Sequence, residues 1–99
     1  MRIVTRRKLL EASRKHSGLA DALESWYRIA SGARWTSLQE VRLTYPQADG
    51  VAIGAKVFTV FHIRGNNFRL IVGINYRSQR VFIKHVLTHA EYDKGDWKK

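Results

Sequence analysis

Cysteine is absent from the chain. That removes disulfide staples and thiolate chemistry, and it suits a reducing compartment such as the cytoplasm. Long apolar runs are missing too. None approaches the roughly 18 residues a membrane-spanning helix needs. The opening stretch, MRIVTRRKLLEASRKH, is basic but has no continuous apolar segment, so it is expected to be structure and not a secretion signal. Acidic residues are scarce. Eight Asp and Glu stand against 18 Lys and Arg, a formal net charge of +10. From residue 50 to residue 90 there is no carboxylate side chain, whereas Lys56, Arg64, Arg69, Arg77, Arg80 and Lys84 all fall in that interval.

Such an excess asks for a polyanionic partner. Nucleic acid leads, because each phosphate neutralised releases counterions. An anionic membrane surface comes second. A plainly solvated basic surface is the remaining alternative.

What is present is enough for one domain spanning residues 1–99, since 44% of the chain is apolar. Residues 1–4 suggest a short edge strand. Thr5 is a plausible N-cap for a basic helix reaching about His16. A second helix is expected from Ser17, with Gly32 just past its end. Leu19, Leu23, Trp26, Tyr27 and Ala30 recur at helical spacing and predict a buried face. Ser37 and Glu40 have the spacing of a capping box for a third, short helix that Pro46 would end. Residues 46–56, with two glycines, are expected to form a loop.

From Lys56 the texture becomes β-rich. KVFTVFHIR, NFRLIVGINY and RVFIKHVLT predict an antiparallel meander. The fold class is therefore α+β, with two N-terminal helices packed on one face of a small antiparallel sheet. A turn at Gly65-Asn66 would pair Ile63 with Phe68 and His62 with Arg69. Thr59, Phe61, Ile63, Phe68, Leu70, Val72 and Ile74 would then face the core. His62, Arg64, Asn67 and Arg69 would face away. Pairing Tyr76 with Val81 would add Val81, Ile83 and His85 to the core face. Phe82, Lys84, Val86 and Thr88 would fall on the other face, with Thr88 opposite Arg69.

The chemistry open to these residue types is narrow. His16, His62, His85 and His89 lack metal-ligand spacing, so no metal or other cofactor is expected. There is no phosphate-binding glycine loop and no nucleophile elbow. Glu91 and Asp93 are paired carboxylates, more often solvated than catalytic. Metal-independent cleavage of RNA remains, in which the 2′-hydroxyl attacks its own phosphodiester. That needs a base, cations for the phosphorane and an acid for the leaving oxygen. His, Tyr, Arg and Lys can fill those roles; Arg69, His89 and Tyr92 are the candidates, whereas Lys84 and Lys94 could equally be solvated. Spacing alone does not divide acid from base. Tyrosine or lysine would need nearby cations or desolvation to act as a base.

The runs FHIRGNNFRLIVGINY (61–76) and VFIKHVLTHAEYDKGDW (81–97) resemble the HigB toxins, a branch of the RelE superfamily of toxin–antitoxin systems. IVTRRKL (3–9), WY (26–27) and VRLTYPQAD (41–49) fit the same pattern, so the likeness covers nearly the whole chain. It implies a RelE-like fold and a metal-free mRNA interferase, usually acting on mRNA in the ribosomal A site. It also implies a cognate helix-turn-helix antitoxin of the HigA kind. By position, Arg69 resembles the family's phosphate-contacting strand arginine. His89, Tyr92 and Lys94 resemble its C-terminal site cluster. Lys84 stands where relatives often have a basic residue. His62 stands where a small polar residue, commonly Asn, is usual, so it is expected only to line the groove. Lys56, His62, Arg64, Asn67 and Lys84 would thus contact RNA. Arg6, Arg7 and Lys8 of the first helix would meet rRNA or the antitoxin. The rival from another class is a non-catalytic RNA-binding or ribosome-associated basic module using the same sheet. A membrane-surface role is disfavoured by the narrow apolar stripe of the first helix.

Overall fold

A computed structural model describes residues 1–99 and gives an α+β fold. In chain order the elements are β1 (Arg2–Val4), α1 (Arg7–Lys15), α2 (Ala20–Gly32), α3 (Leu38–Thr44), β2 (Asp49–Ile53), β3 (Lys56–Ile63), β4 (Phe68–Asn75), β5 (Arg80–Thr88) and α4 (His89–Lys94). A 3-10 turn, Asp96–Lys98, ends the chain. The sheet order is β1-β5-β4-β3-β2. All neighbours are antiparallel except β1, which runs parallel to β5 at the edge.

The N-terminal helices lie against one sheet face, as the apolar periodicity requires. Leu9 and Ala12 of α1 and Leu23, Trp26 and Ala30 of α2 are buried with Phe61, Ile63, Leu70, Val72, Val81 and Ile83. Phe61 is the hub. It meets Trp26 edge-on at 5.4 Å, Tyr45 edge-on at 5.2 Å and Trp35 in a stack at 6.1 Å.

Several local expectations need correction. Thr5 is not an N-cap. It sits at φ 66, and its hydroxyl accepts from Ile83 N–H at 3.0 Å, carrying the β1–β5 pairing one residue past the strand. The second helix begins at Ala20 because Gly18, at φ 80, turns the chain first. Gly32 is its last helical residue, and Ala33 caps it. Half of the expected capping box forms at Ser37, whose hydroxyl accepts from Glu40 N–H. The Glu40 carboxylate instead accepts from Thr36, N–H and hydroxyl alike, each at 2.6 Å. The expected loop 46–56 contains β2, a short strand that β3 organises by pairing along its whole length.

The β3–β4 register is the predicted one, with Ile63 opposite Phe68 and His62 opposite Arg69. The β4–β5 register is not. Ile74, and not Tyr76, pairs with Val81, because Tyr76 and Gln79 leave the ladder for the turn. Gln79 there adopts φ 59, and its side-chain amide donates to Tyr76 O. This even shift leaves Val81 and Ile83 facing the core. A bulge then breaks the alternation. Ile71 pairs with His85 and Val72 with Ile83, which leaves Lys84 as the extra residue. Beyond it the faces exchange. Val86 packs toward the core, His85 lies outside the core cluster, and Thr88 pairs with Phe68.

Because Phe61 joins three other rings in one cluster, Phe61→Ala is expected to lose about 3–5 kcal/mol of stability. Urea unfolding followed by tryptophan fluorescence measures it.

Candidate functional site

Arg69 is the polar centre of the sheet face away from the helices. It is 6% exposed, yet no carboxylate pairs with it. Burying a cation without a counter-charge costs several kcal/mol unless its N–H groups are satisfied. Here neutral acceptors do the work. One terminal nitrogen donates to the Asn66 and Phe68 carbonyls at 3.1 and 3.2 Å. The other donates to Asn66 Oδ1 at 2.7 Å and lies 3.4 Å from His89 Nδ1. The guanidinium carbon sits 5.6 Å from the centre of the Tyr92 ring. The site is therefore a caged cation whose charge is left open.

The 64–67 turn supplies half of the cage. Gly65 sits at φ 66, a conformation suited to glycine, and the turn carries Asn66 back over the start of β4. α4 supplies the rest. Thr88 and Glu91 form a complete capping box, with Thr88 Oγ1 accepting from Glu91 N–H at 3.1 Å and Glu91 Oε1 accepting from Thr88 N–H at 2.9 Å. Backbone donation to its carboxylate holds Glu91 below the usual acid range. His89 N–H donates to Asn67 O at 2.9 Å, joining α4 to the turn. Its imidazole Nε2 lies 2.8 Å from Asp93, one helical turn on, while Nδ1 lies 3.1 Å from Asn66 O. A carboxylate only accepts, so Nε2 carries the proton in that contact.

Tyr92 is stacked on Trp97 at 5.3 Å, with planes 19° apart. Gly95, at φ 80, ends α4 in the left-handed conformation and lets the chain fold Trp97 back. The Trp97 indole N–H then donates to Tyr92 O. Burial raises the Tyr92 phenol above its ordinary range, aided by Asp49 and Asp93 and opposed by Arg69. The phenol stays protonated. His62, cross-strand from Arg69, is pushed down by burial first, then by Arg69 and His89, with Asp49 opposing.

The structure thus brings Arg69, His89, Tyr92 and His62 together. Asn67 joins through its carbonyl only. Other candidates lie elsewhere. Arg64, in a left-handed backbone at φ 55, turns toward the helices, where it contacts Ser17 O at 3.4 Å and packs beside Gly18. Lys94 makes an exposed ion pair with Asp96 at 3.7 Å and no hydrogen bond to the cluster. Arg6 is used internally, over the Tyr27 ring at 4.0 Å and beside Glu24 at 3.4 Å. Arg7 is exposed on α1. Lys8 reaches the Lys84 carbonyl at 3.1 Å. Lys56 and Lys84 flank a groove of about 500 Å³ at the far end of the sheet, floored by Phe58, Gly73 and Phe82. Between that groove and the cluster, His85 stands edge-on to Trp97 at 6.4 Å.

Asn66 and Asp93 carry roles that residue-type reasoning missed. Asp93 had a signal: Thr-x-x-Glu at 88–91 is a capping box that opens a helix, which makes His-x-x-x-Asp at 89–93 a helical i,i+4 pair.

A family model described as the HigB toxin, RelE-like toxic component of a toxin–antitoxin system, matches residues 19–95. The mRNA interferase HigB of Escherichia coli O6:H1 is 36% identical over 94 residues, covering 95% of this chain and 90% of that protein. The mRNA interferase toxin HigB of Escherichia coli K12 is 25% identical over 93 residues, covering 94% and 88%. A Shigella flexneri mRNA interferase HigB matches to the same extent. The chain belongs to the HigB toxin family.

Thr88→Ala removes half of the box that seats α4 and should cost about 1 kcal/mol. For a domain of this size that lowers Tm by about 4–8 °C, readable by circular dichroism. A second outcome concerns pH. His62 and His85 both titrate below the ordinary imidazole range, His85 through burial and then Lys8 and Lys84. Below about pH 6.5 the unfolded chain binds protons that these folded residues refuse, so stability falls with falling pH. His85→Gln should flatten that fall in pH-resolved thermal melts.

Proposed function

We propose that this HigB toxin is an endoribonuclease that cleaves mRNA, acting in the cytoplasm on message held in the ribosomal A site. Its relatives bear the name mRNA interferase. The carrying observation is the caged Arg69, a buried guanidinium with no anion of its own, 3.4 Å from His89 and beneath the Tyr92 ring. A scissile phosphate would supply the missing negative charge, and its gain would grow as charge develops in the phosphorane.

The hydrogen bonds of Arg69 and His89 and the raised Tyr92 phenol support the following roles. Arg69 stabilises the phosphorane as a fixed cation. His89, held by Asp93, is a positioning residue that keeps the guanidinium in place. Tyr92, which remains a phenol, donates its proton to the leaving 5′-oxygen. All of these are organic side chains, and the reaction so written needs no metal. Lys56 and Lys84 with Phe58 and Phe82 would hold flanking nucleotides by charge and stacking. Arg7, Arg14 and Lys15 of α1 would meet rRNA or the antitoxin, a helix-turn-helix partner of the HigA kind. So sparse a site gains from a ribosome that pre-aligns the RNA.

The test is brief induction followed by mapping of cellular 5′ ends. In-frame cuts are expected with the wild-type chain. Arg69→Ala should abolish them and relieve growth arrest. Arrest with intact transcripts would instead point to the non-catalytic binding module.

A further inference from the structure

The cleavage chemistry needs a group to take the 2′-hydroxyl proton, and the hydrogen-bond pattern leaves few. His89 has Nε2 on Asp93 and Nδ1 against Asn66 O and Arg69. Asp49 is occupied by Arg42 at 3.5 Å and by Gly50 N–H at 2.9 Å. Lys94 is paired with Asp96 in solvent. His62 alone in the cluster has both ring nitrogens free of hydrogen bonds. It sits on β3, directly across from Arg69 on β4, whereas α4 with His89 and Tyr92 follows β5 on the other side of β4. Beside the His62 ring lies a pocket of about 250 Å³, lined by Tyr45, Pro46, Gln47 and Ala48.

We infer that His62 is the catalytic base of this chain, taking the 2′-hydroxyl proton from a ribose seated at the Tyr45–Ala48 pocket. The inference rests on the endoribonuclease reading above. In-line displacement puts the attacking and leaving oxygens on opposite sides of phosphorus. The sheet order puts β3, which carries His62, on one side of β4, and β5, which leads into α4 and Tyr92, on the other.

The step balances. The 2′-oxygen gives its proton to a His62 ring nitrogen and bonds to phosphorus. The bond from phosphorus to the 5′-oxygen breaks, and that oxygen takes its electron pair and the Tyr92 proton. The products are a 2′,3′-cyclic phosphate and a 5′-hydroxyl. Proton return through water restores both side chains.

The groups facing His62 set its pH behaviour. Burial, Arg69 and His89 favour the neutral ring, and Asp49 weakly opposes them. The ring is therefore ready to accept a proton at neutral pH, and the acid limb of cleavage should lie below about pH 6.5.

Single-turnover cleavage of ribosome-bound message across the acid to neutral range tests the assignment, with His62→Gln and His62→Ala checked by thermal melts for an intact fold. Both variants should lose about 10²–10⁴-fold in rate with ribosome affinity retained, and the acid limb should disappear. A message with a 5′-thio leaving group should restore Tyr92→Phe but not His62→Gln. If a folded His62 variant cleaves at the wild-type rate with the wild-type acid limb, the assignment falls while the nuclease reading stands. If the wild-type chain makes no cuts, the nuclease reading falls first.

Discussion

A guanidinium held out of water without an anion is the constraint around which this molecule is arranged. Arg69 is kept soluble within the protein by carbonyls, one amide and one imidazole, none of which cancels its charge. The turn at 64–67 exists in a form that brings Asn66 over it. α4 is fixed by its own capping box so that His89 meets it. Trp97 folds back so that Tyr92 keeps its place over it. Removing any of these supports would leave a buried charge to find water by loosening this end of the sheet.

The two sheet faces divide the labour. One is an ordinary aromatic core around Phe61, and it supplies stiffness. The other carries charge and ring faces, with Val60 and Ile71 buried among them. Rigidity on the first face is what makes a fixed cation on the second worth having. A mobile guanidinium would reorganise when phosphate arrives and would surrender much of its electrostatic advantage.

The fold class and the β3–β4 register were legible because alternation and helical period are strong, local signals. Phe61, Ile63, Leu70 and Val72 could face only one way. β2 was hidden, since Asp49–Ile53 becomes a strand through pairing with β3 and not through its own preference. The β5 register was lost to turn chemistry at Asn75–Gln79. The convergence of Arg69 with His89 was visible as a pattern, but the structural work shared out within THAEYD was not. Thr88 and Glu91 close the helix end, Asp93 holds the histidine, and His89 and Tyr92 face Arg69. Arg64 and Arg6 show the limit of charge counting. A cation's sequence neighbourhood does not say which side of the sheet it will reach.

The bulge at Lys84 has a consequence for how such chains drift. Up to Ile83, odd-numbered positions of β5 tolerate only apolar substitutions. After the bulge the tolerant and intolerant positions trade parity, with Val86 inside and His85 outside. Losing the extra residue would restore a regular ladder with His85 still outside and Val86 still inside, whereas pairing Lys84 into the ladder would drive His85 and Leu87 inward and turn Val86 out. A deletion at the bulge is thus absorbed, while one elsewhere in the strand shifts the frame of side-chain direction.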